Sequence, residues 1–307
     1  MAEPKGRLRI NGIDLKVSNL NKPFYPETDF TKGQVIDYYI RIAPALLPHL
    51  TGRPITLKRY PEGASSDFFY QKECPVHRPD WLPTVPVWSE KNGKDTNYCL
   101  IEDLPSLVWA SNIAALELHT SLSYGSNMAQ PSMAVFDLDP GSPADIIDCA
   151  KVALLLWTFF DRCGLKSFVK TSGSKGLQVY LPLNTPVDYQ ETKGFARALA
   201  QHLEKQYPDF VVSNMKKALR KGKVFIDWSQ NDEHKTTVCV YSLRARPQPT
   251  VSTPVSWDEI KKAAETANPQ LLHFTAPEVL DRVKTYSDLF APVLSIKQQL
   301  PNLPLFD

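Results

Sequence analysis

Apolar positions along the chain switch between two periods. Thr31-Lys32-Gly33-Gln34 opens a stretch whose apolar residues fall at Val35, Ile36, Tyr39, Ile42 and Ala43. That three-and-four spacing predicts a helix over 31–47 with Thr31 as its N-cap. Residues 55–60 (ITLKRY) alternate and predict a strand. Residues 105–113 read as a short helix and 115–119 as a strand. The second half is sharper. Residues 133–139 (MAVFDLD) predict a strand that ends at Pro140-Gly141. Residues 143–163 predict a buried helix, because their middle is almost wholly apolar. Two strands, 168–170 and 178–181, flank the polar link Thr171-Ser172-Gly173-Ser174-Lys175-Gly176. An amphipathic helix follows at 189–206, then strands at 224–227 and 238–242. Helices and strands interleave, with several hairpin-length joins. The fold class is therefore mixed α/β (α+β), expected as one compact unit. No internal repeat is present, and the 26 prolines sit mainly in loops.

Composition changes this picture little. With 43% hydrophobic and 22% charged residues, the 307-residue chain is an ordinary globular one. The 35 Lys+Arg against 33 Asp+Glu leave +2, which excludes a binder that works by bulk positive charge. A local basic stripe remains compatible with it. The longest apolar run, about 152–160, is far short of the ~20 residues of a membrane span, so no membrane association is expected. The N-terminus, Met1-Ala-Glu-Pro-Lys-Gly, has no apolar signal region. Cys74, Cys99, Cys149, Cys163 and Cys239 are odd in number and scattered, without CxxC. They predict no disulfide framework and a reducing cytoplasm. Cys74-Pro-Val-His77 has half of a zinc spacing and no second half.

Four groupings carry candidate chemistry. Asp137 and Asp139 are two apart on a predicted strand, so both carboxylates face one way where the strand meets a turn. Such a pair repels itself unless a hard cation such as Mg²⁺ or Mn²⁺ lies between. The alternative is a pair that caps the turn or faces water. Asp227 ends an apolar strand, either as a cap or as the third acid of a two-metal phosphoryl-transfer site. The 170–176 loop offers glycines, hydroxyls, N–H groups and Lys175. That suits a triphosphate, or equally a polar hairpin turn, and it is not a Walker A loop. Cations alternate with aromatics in Lys58-Arg59-Tyr60 and Phe68-Phe69-Tyr70-Gln71-Lys72. Exposed, these rings would stack on bases, although a Phe-Phe pair is more often core. Lys216, Lys217, Arg220 and Lys221 would share one helical face that tracks phosphates, and Arg244 with Arg246 would clamp one. His119 would contact phosphate or ribose, or be a satisfied polar residue.

Taken in order, seven segments resemble one family: Asn19-Leu20-Asn21-Lys22, Thr31-Lys32, Leu116-Glu117-Leu118-His119, residues 136–141 (FDLDPG), 171–177 (TSGSKGL), 223–231 (KVFIDWSQN) and 241–246 (YSLRAR). The chain resembles, from about 11 to 280, the polymerase domain of bacterial ATP-dependent DNA ligase D. Its stand-alone relatives are primase-polymerases of the archaeo-eukaryotic primase superfamily. The resemblance implies a primase-like catalytic core with an RRM-like sheet and an N-terminal α/β part, one domain over 1–285 and a tail over 286–307. It implies template-dependent nucleotidyl transfer, often from ribonucleotides, that fills gaps or extends 3′ ends in non-homologous end joining. Asp137, Asp139 and Asp227 would hold two Mg²⁺ or Mn²⁺ ions. His119, Ser172, Lys175, Gln178, Arg244, Lys58 and Gln230 would surround the NTP or dNTP. Asn19, Lys22 and Lys32 would grip a downstream 5′-phosphate on DNA, and Phe68 and Phe69 would stack near the template. The implied partners are gapped or broken DNA, a Ku-like end-binding protein and a separate DNA ligase, in the cytoplasm at the nucleoid.

One position departs from the family, where a His follows Gly-Leu in the phosphate loop; this chain has Gln178. A neutral amide replaces a group able to carry charge, so Gln178→His is expected to raise kcat/KM. No ligase KxDG motif or phosphoesterase-like cluster is present, which suggests a stand-alone polymerase or an excised domain. Two other readings stand beside gap filling: a primase that starts chains unprimed, and a non-catalytic DNA-end binder.

Overall fold

The computed structural model describes residues 6–89 and 93–301. The first five residues of the chain and residues 302–307 of the expected tail lie outside the described residues. The chain folds as two compact units, a division absent from the single-domain expectation. Unit 1 takes residues up to 121, 238–252 and 274–288; unit 2 takes 122–237, 253–273 and 289 onward.

In unit 1 the helix α1 (Lys32–Leu50) forms where the spacing predicts it. Thr31 Oγ1 accepts from Gln34 N, and Gln34 Oε1 accepts from Thr31 N, which closes a capping box. Its apolar face, Val35, Ile36, Tyr39, Ile42 and Leu46, is buried, and it packs on the helices Leu104–Asn112 and Ala276–Tyr286. The sheet of this unit is built on β1 (Ile55–Arg59) and β2 (Ala115–Thr120), paired antiparallel. Lys94–Cys99 and Thr84–Ser89 extend it beyond β1, and Phe69–Gln71 also pairs with β1.

Two expectations are corrected in this unit, the cysteines and the strand over 238–242. Cys74 and Cys99 form a disulfide, Cα atoms 5.0 Å apart, where none was expected. Spacing could not show it, because 25 residues separate the two; Cys74 N donates to Asn97 O at 2.6 Å and brings its side chain alongside Cys99. Of the two readings left open for Phe68 and Phe69, core or exposed face, the structure has the exposed one: Phe68, Phe69 and Tyr70 are 49%, 44% and 58% exposed. The strand read over 238–242 does not extend past Val238. Residues 239–242 form a turn, closed by Ser242 N donating to Cys239 O, with Tyr241 at φ +64°. Tertiary bonds hold that left-handed residue: Tyr38 Oη donates to Tyr241 O at 2.8 Å, and Tyr241 Oη donates to Asp288 at 2.7 Å.

Unit 2 is a six-stranded sheet. Its order is Val211–Val212, β6 (Val224–Asp227), β3 (Met133–Pro140), β5 (Leu177–Pro182), β4 (Phe168–Thr171) and Pro254–Val255. Neighbours are antiparallel except Val211–Val212 with β6. The helices α2 (Ile146–Arg162) and α3 (Tyr189–Gln206) bury Leu156, Phe160, Phe195 and Leu199 with Phe136 of β3. The α2 helix starts three residues later than predicted, because Asp145 caps it: its carboxylate accepts from Ile147 N and Asp148 N. Lys216, Lys217, Arg220 and Lys221 share no helical face, since only Lys217–Leu219 forms a 3₁₀ turn. The expected tail is held as far as Gln298: Phe290 and Val293 are buried, Asn184 Nδ2 donates to Val293 O and Ile296 O, and Gln298 Nε2 donates to Lys166 O and Pro182 O. Among the described residues no helix is long and apolar enough to cross a membrane.

Candidate functional site

Strand register assembles the acids of unit 2. Asp137 on β3 is opposite Asp227 on β6 and opposite Gln178 on β5, while Gln178 is opposite Lys170 on β4. Cross-strand partners share a face. One row across four strands thus reads Asp227, Asp137, Gln178, Lys170, and Asp139 stands two residues along β3 from Asp137. Burial and the charges of Asp139 and Asp227 push the Asp137 carboxyl up to about 7, against the opposing pull of Gln178 and Lys170.

Three carboxylates so gathered have the oxygen chemistry of a site for Mg²⁺ or Mn²⁺. They do not form a closed ligand shell: among the described residues no three His, Cys, Asp or Glu converge to hold an ion as they stand. Asp227 is turned to its own chain. Its Oδ1 accepts from Ser229 N at 3.0 Å and Ser229 Oγ, and its Oδ2 from Gln230 Nε2 at 3.3 Å. Gln230 therefore lies beside an acid, through that bond.

Lys170 is a buried lysine that sequence reasoning passed over. Its Nζ donates to Gln178 Oε1 at 2.7 Å and lies 5.5 Å from the Tyr180 ring. Tyr180 Oη, near Thr237 Oγ1 at 3.0 Å, donates to the same Gln178 oxygen at 3.3 Å. The signal was a lone cation inside an apolar strand. Gln178 is itself buried and its acceptor is committed. A His placed there would lie between the Lys170 ammonium, which opposes its charge, and the Asp137 carboxylate, which favours it. Gln178→His is now expected to change kcat/KM by less than about threefold, as read by steady-state nucleotide incorporation.

The 172–176 loop is organised by Ser172. Its Oγ accepts from Ser174 N and Gly176 N, both at 3.2 Å, and its N donates to Gly176 O. Two N–H groups counted as anion donors from the sequence are thus spent inside the loop. Lys175 at its tip is exposed. Gly176 is obligatory for a steric reason: a Cβ there would lie 2.0 Å from Leu138 O on β3.

In unit 1 the centre is a residue missing from the sequence-based set, Glu117. It lies on β2 two residues before His119, so both face one way, a signal as legible as the Asp137–Asp139 pair. Its buried carboxylate collects Lys58 Nζ (3.5 Å), Tyr60 Oη (3.2 Å) and Ala245 N (3.1 Å) on Oε1. His119 Nε2 (3.0 Å) and Arg244 Nε (3.3 Å) lie at Oε2. Burial raises the Glu117 pKa, but His119, Arg244 and Lys58 outweigh it and hold the group far below the usual carboxylate range. Burial, with Arg244 and Lys58, lowers the His119 pKa against the opposing pull of Glu117. Lys58 also lies 4.1 Å from the Phe68 ring centre, and Arg59 lies 5.1 Å from that of Phe69. The exposed rings thus stand on cations.

The three expected 5′-phosphate residues come together by backbone bonds: Lys22 N donates to Asn19 O, and Lys32 N to Lys22 O at 2.8 Å. Their side chains differ. Lys22 Nζ is on Glu62 at 2.6 Å and Pro61 O at 2.9 Å. Lys32 is buried, and its Nζ donates to Ser18 O and Asn112 Oδ1.

Comparison with known proteins gives one family. Residues 31–290 match the LigD primase-polymerase domain. The chain is 39% identical over 281 residues to the multifunctional non-homologous end joining protein LigD of Mycolicibacterium smegmatis, covering 91% of this chain and 36% of that protein. It is 32% identical over 271 residues to the bifunctional non-homologous end joining protein LigD of Bacillus subtilis, covering 88% and 42%. The chain thus spans well under half the length of these curated relatives. The solved polymerase domain from Mycobacterium tuberculosis ligase D, in complex with DNA, superposes with a TM-score of 0.85 at 37% identity, over 92% of this chain and 99% of that one. In sequence over most of its length and in backbone, the chain belongs to the LigD primase-polymerase domain family.

Proposed function

We propose that this domain is a template-dependent nucleotidyltransferase that extends 3′ ends and fills gaps at DNA breaks during non-homologous end joining. The observation that carries the reading is the row that sets Asp227 against Asp137, with Asp139 beside them. Asp137, Asp139 and Asp227 would hold two divalent ions, Mg²⁺ or Mn²⁺, whose chemistry is to neutralise triphosphate charge and to favour attack by a 3′-hydroxyl. The chain's own groups do the rest. Lys175 in unit 2 attracts phosphate, and the loop that Ser172 organises approaches it by backbone; Arg244 and Lys58 are the cations that unit 1 offers to phosphate. Gln230 orients Asp227, and Gln178 does the same for Asp137. Phe68 and Phe69 offer exposed faces for stacking on template bases. A Ku-like end-binding protein, a separate ligase and a cytoplasmic, nucleoid-associated site of action belong to the same reading.

Primer extension on 5′-phosphorylated gapped DNA, with Mn²⁺ and rNTPs or dNTPs, tests it. Templated addition is expected; no addition under any of these conditions refutes it. Dinucleotide synthesis on bare single strands would point instead to a primase, and gap binding without turnover to an end binder. The gathering of Asn19, Lys22 and Lys32 favours gap filling.

The Lys22–Glu62 pair makes a further prediction. Glu62 is 72% exposed and occupies the ammonium that a 5′-phosphate would use. Exposed pairs are worth up to about 1 kcal/mol. Glu62→Gln is therefore expected to tighten binding to 5′-phosphorylated gapped DNA by about threefold, and to unphosphorylated gapped DNA by less. Fluorescence anisotropy with the two DNAs measures the difference.

A further inference from the structure

Asp227 is held by more than a turn needs. It caps the 3₁₀ turn Trp228–Gln230, for which a bond from Ser229 N to its Oδ1 is enough. Here the Ser229 hydroxyl donates to the same oxygen at 2.5 Å. Lys235 Nζ in turn donates to that hydroxyl, also at 2.5 Å. An ammonium only donates, so it takes a lone pair of Ser229 Oγ and leaves the hydroxyl hydrogen for the carboxylate. A hydroxyl that accepts from a cation is also the stronger donor. Oδ1 has two lone pairs, and both are used. Oδ2 accepts from Gln230 Nε2 at 3.3 Å, so one lone pair remains there. The two oxygens of this one acid are thus unequal. The chain around them fixes the arrangement. Asn231, fully buried, accepts from Val135 N at 2.8 Å and donates to Val135 O at 2.7 Å, two residues before Asp137 on β3. Asp232 accepts from Lys193 of α3 at 2.6 Å, and Lys235 N donates to Asp232 O. Lys235 therefore belongs to a segment anchored on both β3 and α3.

We infer that Lys235 and Ser229 are positioning residues that commit Asp227 to holding a divalent ion through Oδ2 alone, and so select a small octahedral ion such as Mg²⁺ over Ca²⁺. This rests on the reading of Asp227 as a metal ligand and assigns the groups that shape it. The reason is ligand geometry. Mg²⁺ demands a near-ideal octahedron with short bonds of about 2.0–2.1 Å, whereas Ca²⁺ gathers about six to eight oxygens, often both oxygens of one carboxylate. An acid whose Oδ1 is tied to Ser229 offers Ca²⁺ no second oxygen. Freeing Oδ1 would leave the Mg²⁺ contact as it is and give Ca²⁺ the chelate that it lacks.

Ion binding to the free protein tests the inference without any turnover. Mn²⁺ binding is read from the electron paramagnetic resonance signal of the unbound ion, and Mg²⁺ and Ca²⁺ are each titrated in to displace it. Lys235→Met takes the cation off the hydroxyl. Ser229→Ala removes the hydroxyl and keeps the backbone cap. Each should lower the ratio of the Ca²⁺ to the Mg²⁺ dissociation constant by about 3- to 10-fold, the worth of one net hydrogen bond. Lys235→Arg keeps a cationic donor and should restore the wild-type ratio. Lys235 is partly exposed, so Lys235→Met should fold, and it decides the matter even where Ser229→Ala does not. Equal weakening of both ions in Lys235→Met, as a merely structural role would give, overturns the inference. So does an unchanged ratio. Asp227→Ala separates this result from the reading beneath it. If Asp227→Ala loses a bound Mn²⁺ while Lys235→Met keeps the wild-type ratio, the inference fails and Asp227 remains a ligand. If Asp227→Ala binds Mn²⁺ as wild type does, Asp227 is no ligand and both fail. If wild type binds no Mn²⁺, the inference fails, and primer extension still judges the proposed function.

Discussion

Alanine at both Asp137 and Asp139 should abolish primer extension, a loss of at least about 10³-fold, without loss of the fold. The size follows from what the acids would hold. Charge stabilisation by bound divalent ions is worth several kcal/mol in the transition state, and each 1.36 kcal/mol is tenfold in rate. Stability should respond in the opposite sense. Asp137 is crowded by Asp139 and Asp227, and that repulsion contributes to its raised pKa. Removing two of the three charges relieves a cost that the metal-free protein bears at neutral pH. The melting temperature of the double variant, measured in chelator, should therefore equal or exceed that of wild type. Full extension by the variant would remove the acids from the chemistry. A fall of many degrees would mean that they hold the sheet together instead.

Gly176→Ala should be almost as damaging, through the backbone. The added Cβ would lie 2.0 Å from Leu138 O and 3.1 Å from Leu138 C. Neither side can yield cheaply, because Leu138 and Leu177 are paired in the ladder between β3 and β5. Leu138 lies between the two acids, and Gly176 N donates to the Ser172 hydroxyl that organises the loop. Overpacking of this kind costs about 1–3 kcal/mol where side chains can adjust, and more where only backbone is available. We expect about 3 kcal/mol or more of lost stability by urea unfolding, together with a large loss of extension. A variant of wild-type stability would show that the loop can back away from β3. The same argument applies to Gly141, whose Cβ would lie 1.9 Å from Arg220 O.

Much of the candidate site was legible in advance. The strand 133–140 showed in its alternation, and with it the shared face of Asp137 and Asp139. The three acids, the 171–176 loop and the YSLRAR segment were recognisable by their order along the chain. What was misread had distant causes. The cysteine pair was missed because spacing carries no trace of a loop held beside a strand by a backbone bond, here Cys74 N to Asn97 O. For Phe68 and Phe69 the sequence left core and exposed face open; the pairing of Phe69–Gln71 with β1 leaves both at the surface, over Lys58 and Arg59. The basic run at 216–223 had helical spacing but no cap and no apolar face, and it forms only a single 3₁₀ turn.

The sequence by itself determined which residues could do the chemistry, because helix and strand periods are local properties of ten or twenty residues. Only the tertiary structure decided which of them act together. Register between strands distant in sequence set Asp227 against Asp137, while a short hairpin set Lys170 against Gln178. A buried carboxylate takes whatever donors the fold brings to it, so the partners of Glu117 come from β1 and Tyr60 just after it, from β2 and from the 244–245 segment. The cost of an unpaired buried charge then makes those partners specific. Periodicity places a side chain on a face, but the groups that meet it there are set by long-range contacts.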